Sequence, residues 1–442
     1  MPSKEELKSK ICREIDRRSE EIIGVVKAIL GNPEPGFREL KTSRLVAQKF
    51  AELGIAYREG IAITGIKGVM QGGSSDLTVG ILGELDSLIV RAHPNADPQT
   101  GAAHACGHHA QIGMLIGVAA ALTGSGVLPF LGGRVAFMAV PAEEYIEIEF
   151  REGLRKEGKL SFLGGKAELI KLGEFDDIDI AMMTHTTSTP EMKKFTVGGT
   201  NNGMVAKQIQ FIGRGAHAGG APHQGINALN AAMIALSAIH AQRETFRDDD
   251  TVRVHPIITR GGEAVNIVPA DVHMETYVRG KTLEAIKGAS EKVDRALRAG
   301  ALAVGGKVRI TTLPGYLPII NDPNLMELYK TNAVSLVGEE EVGQPGHRTG
   351  STDMGDVSHI MPIIHPYAGG AKGTSHGSDY LIQDYQIAVL DPAKAMAMMV
   401  IDLLADGAAK GREVLSKSKP DMSKQEYLTL MESQIKEEEY ES

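Results

Sequence analysis

The chain has only two cysteines, Cys12 and Cys106, far apart and in unlike settings, so a disulfide framework is excluded. Basic residues are in the minority: 47 Lys and Arg stand against 56 Asp and Glu, a formal net charge of −9. No stripe of positive charge offers a surface to nucleic acid. No apolar run approaches the roughly 20 residues that a membrane-spanning helix needs. Met1 to Arg18 is charged, whereas a signal peptide has an apolar core. These absences predict a cytoplasmic protein with no nucleic-acid or membrane partner. What remains is an ordinary globular composition, 42% hydrophobic and 23% charged, over 442 residues. That length exceeds one compact core, so two domains are expected.

The densest chemistry lies in His104-Ala105-Cys106-Gly107-His108-His109, just before the apolar helical run Ile112 to Leu122. A cysteine and a histidine two residues apart can face one ion if the backbone turns between them. Gly107, without a Cβ, permits that turn. A helix N-terminus at this point would favour the thiolate. A solvated, His-rich helix start is the plain alternative.

Apolar positions Leu7, Ile11, Ile15, Ile22, Val26 and Leu30 predict a surface helix over residues 4–30, ended by Gly31-Asn32-Pro33. A rigid turn follows at Pro33 to Phe37, then a second amphipathic helix over 40–53. Strands are predicted at 62–71, 77–82, 133–140 and 178–183. The second runs into Gly83-Glu84-Leu85-Asp86, the third into Pro141-Ala142-Glu143-Glu144, and the fourth into Thr184-His185. In open α/β sheets ligands gather at the carboxyl ends of strands. Asp86, Glu143, Glu144 and His185 should therefore meet on one sheet edge.

From about Gly198 the pattern changes. A strand (205–212), the turn Gly213-Arg214-Gly215-Ala216-His217-Ala218 and an Ala-rich helix (227–242) come first. Strands near 252–258 and 271–280 flank Gly261 to Asn266, and a helix (283–302) and a strand (307–313) complete a βαββαβ order. Beyond Pro318 the helix–strand alternation of the first half resumes. The predicted fold is α/β: a metal-binding catalytic domain with a central, mostly parallel sheet (1–197 and 315–442), interrupted by an inserted α+β domain (198–314). The charged tail from Lys410 predicts a surface helix or disorder.

Cys106, His108, Glu144, His185 and, from the far half of the chain, His376 are the candidate metal ligands. Mixed S, N and O donors suit Zn or Mn better than Ca or Mg. Five scattered ligands, rather than four closely spaced ones, suggest a catalytic site for one or two ions with open positions. Of the adjacent carboxylates, Glu143 is assigned as general acid/base and Glu144 as ligand.

These motifs, in this order, resemble the M20 metallopeptidase/amidohydrolase family: Pro33 to Phe37, Gly83 to Asp86, Cys106-Gly107-His108, Pro141 to Glu144, Gly215 to Ala218 and Gly261 to Pro269. The likeness is greatest to subfamily D, the auxin-conjugate and aminobenzoyl-glutamate hydrolases, the latter especially through Ser351 to Ser358. It spans about Pro33 to Ser378. The resemblance implies the same five ligands, Glu143 as base, and an inserted domain that acts as a lid and homodimerises. It further implies that His217 contacts substrate or transition state, in its own or a neighbouring subunit's site, that Asn266 helps hold the oxyanion, and that Arg279 pairs with a substrate carboxylate. His223 is similarly placed. The family usually has Asp or Asn where His109 stands, and subfamily D often has His where Gln111 stands. His109 is then a candidate for orienting His108, with Asp86 beside it.

The expected activity is hydrolysis of an N-acyl or N-aroyl amino acid at its amide bond by metal-activated water. Two alternatives stay open: hydrolytic deamination of an activated aromatic amine such as a nitroanthranilate, motivated by His109 and Gln111, and a non-catalytic binding protein on the same fold.

Overall fold

The computed structural model describes residues 2–74 and 77–441. Helices α1 (Lys4–Arg17), α2 (Ser19–Leu30) and α3 (Leu40–Glu52) open the chain. The helix predicted over 4–30 is therefore two. Arg18 leaves helical geometry at φ −100°, ψ 12°, although Leu7, Ile11, Ile15, Ile22 and Val26 are all buried as the period requires. The strand predicted at 62–71 is likewise the second half of a hairpin, β1 (Ala56–Ile61) and β2 (Gly65–Gln71), because Ala62 and Ile63 take positive φ and turn the chain.

Next come β3 (Thr78–Glu84), α4 (His108–Gly124), β4 (Arg134–Val140), α5 (Ile148–Lys156), α6 (Gly165–Leu172) and β5 (Ile180–Met182). The inserted domain holds β6 (Gly203–Ile212), α7 (Ala228–Ala241), β7 (Arg253–Val254), β8 (Ile257–Arg260), β9 (Asp271–Gly280), α8 (Leu283–Val304) and β10 (Lys307–Pro314). The chain ends with α9 (Pro323–Val337), α10 (Met354–Ile360), β11 (Ile363–Ile364), α11 (Asp391–Lys417), α12 (Lys424–Ser433) and β12 (Lys436–Glu441).

The first sheet has the order β1-β2-β4-β3-β5-β11, with β4, β3, β5 and β11 parallel to one another and the β1–β2 hairpin at one edge, its β2 antiparallel to β4. Every residue of β3 is buried, as expected for a strand covered on both faces. Helix α4 is buried continuously from His108 to Leu122 and packs on β3 and against α1, α2 and α11. A helix buried on every side belongs in the middle of a domain, and here it aims its N-terminus at the carboxyl edge of the sheet.

The second sheet is antiparallel, β7-β9-β6-β10-β12, with β8 beside β9. Helices α7 and α8 close a core containing Ile209, Phe211, Val272, Val293 and Leu297. The tail departs from expectation: after α12 it adds β12 to this sheet, Lys436 to Glu441 lying opposite Thr312 to Lys307. Its glutamates carry no period-2 apolar signal because the edge strand stays largely exposed. Cross-strand charge pairs such as Arg309–Glu439 at 2.7 Å accompany the pairing instead. A small core of Tyr145, Leu163, Met204, Leu313 and Tyr316 joins the two sheets' domains. Among the described residues no helix is long and apolar enough to cross a membrane.

Candidate metal centre and active site

Three parallel strands end on one edge, so Asp86, Glu143–Glu144 and His185 gather in front of α4. Gly107 caps that helix at φ 98°. A Cβ there would collide with Thr186 Oγ1 and the Tyr380 hydroxyl, which are hydrogen-bonded to each other at 2.8 Å. Glycine thus meets two demands, the left-handed turn and the close approach. The turn brings Cys106 Sγ to 3.4 Å from His185 Nε2. His108 Nδ1 faces the Asp86 carbonyl at 3.0 Å and its carboxylate at 3.3 Å. Its Nε2 then points inward, 3.1 Å from Glu84 and 3.9 Å from both Glu143 and Glu144.

The carboxylate pair sits on a braced turn. Ala142, at φ 54°, donates its N–H to Glu39 at 2.8 Å. Buried Arg151 donates to the carbonyls of Ala142, Leu163 and Glu144. Tyr316 donates to the Glu143 carbonyl, and the Glu144 N–H donates to Asp86 at 2.9 Å. His376, also at positive φ, donates its N–H to the Ala105 carbonyl at 2.9 Å and lies with Nε2 3.6 Å from Glu144.

Three overlapping donor groups result, each with its ligand atoms within 4.8 Å of one another: Cys106, His108 and His185; Cys106, Glu144 and His376; Glu84, His108 and Glu143. His108 Nε2 and Glu144 Oε1 are buried with no hydrogen-bond partner. Orphaned polar atoms of this kind fit a cation. The electrostatics agree. Burial, then Glu84 and Glu144, push the Glu143 carboxyl well above the usual range. Burial and Glu144 push the Cys106 thiol up, so the helix N-terminus alone does not supply the expected thiolate. Burial opposes charge on His108, yet Glu84 pulls its pKa well up, whereas burial lowers His185 to about 4 and leaves it a neutral donor. A divalent ion among these groups would relieve the carboxylate repulsion and ionise the thiol.

The remaining predicted residues divide. Arg279 lines the same cavity, about 380 Å³, with its guanidinium 5.2 Å from the Tyr277 ring. Asp86 lies under His108 as described. His109 does not orient His108: its ring packs 5.0 Å from His104, and all four nitrogens of that pair lack partners. Gln111 grips Glu84, donating to its carboxylate at 2.8 Å and accepting its N–H at 3.1 Å. His217, His223 and Asn266 are exposed on the inserted domain and do not line this chain's cavity. His217 Nδ1 accepts from the N–H groups of Gly219 and Gly220 at 3.2 and 3.0 Å. Sequence reasoning missed Arg348 and His365, which line the cavity, and Lys166, which is buried against Glu84. His365 directly follows the strand Ile363–Ile364, the same strand-end signal that picked out His185, whereas Lys166 inside α6 and Arg348 in the segment between α9 and α10 carry no such mark.

Residues 200–304 match the family model described as the peptidase dimerisation domain. The Xaa-Arg dipeptidase of Mus musculus is 30% identical over 350 residues, 75% of this chain and 71% of that protein. This chain belongs to the M20 metallopeptidase/amidohydrolase family. The hippurate hydrolase of Campylobacter jejuni is 26% identical over 370 residues, 81% of this chain and 90% of that one. A dinuclear metal-binding peptidase of the M20 family from Bacillus subtilis shares the fold at a TM-score of 0.63 and 19% identity, covering 86% of this chain and 97% of that one. As an M20 protein the chain is a hydrolase, and its named relatives act on amide bonds. The dimerisation match falls on β6 to α8, where the sequence pattern changes.

Proposed function

We propose that this M20 hydrolase cleaves the amide C–N bond of an N-acyl or N-aroyl amino acid, with Cys106, His108, Glu144, His185 and His376 holding one or two Zn or Mn ions. The observation that carries the reading is Cys106 itself. Its sulfur belongs to two donor groups at once, beside a buried carboxyl, Glu143, that ligates in neither. When bound, the cation polarises the amide carbonyl and acidifies water. Glu143 takes the proton from the attacking water at its carboxylate and returns it to the departing nitrogen. Its raised pKa suits a group that must hold that proton between the two steps. Tyr316 and Arg151 keep the turn in place, and Arg279 pairs with a substrate carboxylate.

His217 and Asn266, with His223 near by, complete the site of a second subunit, His217 and Asn266 contacting the developing oxyanion. Their exposure away from this chain's cavity supports the assignment. So do exposed Met233 and Ile234 on α7 and Ile257 and Ile258 on β8, apolar groups that a dimer would cover. Deamination of an aromatic amine loses its motive, because His109 and Gln111 do not line the cavity.

The test is product analysis. Wild type loaded with Mn or Zn should release free amino acid from a panel of N-acyl amino acids. Glu143→Gln should retain its metal by elemental analysis and release none. Ammonia and a hydroxylated ring from an aminobenzoate would instead establish deamination.

A further inference from the structure

The cavity is lined by two guanidiniums, Arg279 from β9 and Arg348 from the segment between α9 and α10. Arg151, the buried arginine of the same region, shows what a structural guanidinium does: it donates to three backbone carbonyls. Arg348 differs. Its Nη1 is buried without a hydrogen-bond partner, and its guanidinium lies 4.2 Å from the centre of the Tyr367 ring. A desolvated guanidinium donor left unpaired is costly, and an incoming anion would offset that cost.

Arg348 is also held in place. Its backbone pairs in parallel with Asn201, and its carbonyl accepts the Asn202 N–H at 3.1 Å. The adjacent His347 ring is fixed by Thr200 at 2.9 Å, Asn202 at 2.8 Å and Thr251 at 3.0 Å. The supporting Tyr367 hydroxyl accepts from Asn201 at 3.1 Å, and its ring centre lies 5.7 Å from that of His185. Arg348 is thus one ring away from a candidate metal ligand, on a rigid platform that gives up little freedom when it binds.

We propose that the substrate carries two carboxylates, one for Arg279 and a second for Arg348, and that Arg348 sets the preference for diacids. The inference rests on the amide-hydrolase reading. The second carboxylate belongs either to the departing amino acid, as in an N-acyl aspartate or glutamate, or to a dicarboxylic acyl group.

Four amides separate these cases: N-benzoyl-glutamate against N-benzoyl-glutamine, and N-succinyl-alanine against N-butyryl-alanine. A charge-assisted pair predicts a preference in kcat/KM of about ten- to a hundredfold for the diacid of one set. Preference within the first set places the carboxylate on the amino acid, and within the second on the acyl group. In Arg348→Met the ratio should fall to near one, and in Arg348→Glu the favoured set should invert, N-benzoyl-lysine replacing N-benzoyl-glutamate if the amino-acid side is read. Far-UV circular dichroism checks that both variants fold. Equal cleavage of acid and neutral partners by the wild type, or a diacid preference that survives Arg348→Met, overturns the proposal alone. Cleavage of none of the four overturns the amide reading and this proposal with it.

Discussion

Lys166 donates to Glu84 Oε1 at 2.6 Å, with both side chains fully buried. The same ammonium reaches Asp353, whose carboxylate also accepts the Lys166 N–H at 2.9 Å. This pair ties the end of β3 to the Ser351 to Ser358 motif, and its carboxylate lies 3.1 Å from His108. The conspicuous motif thereby acquires a physical role: its Asp353 holds the ammonium that neutralises Glu84 directly behind the candidate metal centre.

Removing the lysine would leave two carboxylates buried and uncompensated. Lys166→Met should destabilise the protein by roughly 3–5 kcal/mol, read from urea unfolding at neutral pH. Adding Glu84→Gln should cost less than the sum of the single changes, because the two residues share one interaction.

A site completed across a dimer predicts complementation. Glu143→Gln and His217→Ala should each be inactive alone. Refolded together at equal amounts they should regain about a quarter of wild-type activity, since half the dimers are mixed and each has one intact site. A monomer by light scattering, or no recovery on mixing, would remove His217 from the partner's site.

Burial holds His109 and His365 down at about 3 and His185 at about 4. In the unfolded chain each takes up a proton near pH 6.5. Below that pH the unfolded state binds more protons than the folded one. The stability these residues contribute is therefore complete above about 6.5 and lost as pH falls toward 4 for His185 and toward 3 for His109 and His365. Denaturant titrations of metal-free protein should show this acid slope. His365→Gln should reduce it by up to about 1.4 kcal/mol per pH unit, whereas an unchanged slope would mean that the ring already protonates in the fold.

The C-terminal strand links two domains. Tyr427, Leu428 and Met431 of α12 are buried in the core beside the first sheet, and only Gln434 and Ile435 separate that helix from β12. Deleting residues 434–442 should expose the β10 edge. Amides of Lys307 to Thr312 should exchange faster by mass spectrometry, and the open edge should favour self-association on gel filtration.

Much of this was legible in the chain. The apolar strands, the polar residues directly after them, and the cysteine–glycine–histidine turn before an apolar helix follow from local periodicity and backbone freedom. They are enough to bring Asp86, Glu143, Glu144 and His185 to one edge. The alternation of βαββαβ likewise marked out the inserted domain. Where expectation failed, competing local signals were hidden. Arg18 breaks a helix without a glycine or proline, and the glutamate-rich tail has no apolar face to betray a strand.

By itself, then, the sequence determined the elements, their order and the edge on which the acids and histidines collect, because those depend on periodicity and on chain direction. Only the tertiary structure decided which atoms meet. It turned His109 toward His104, set Lys166 behind Glu84, left Arg348 unpaired over Tyr367, and sent His217 and Asn266 away from their own chain's cavity. Such pairings join residues up to 82 positions apart, and burial and charge balance select them only once the chain is packed.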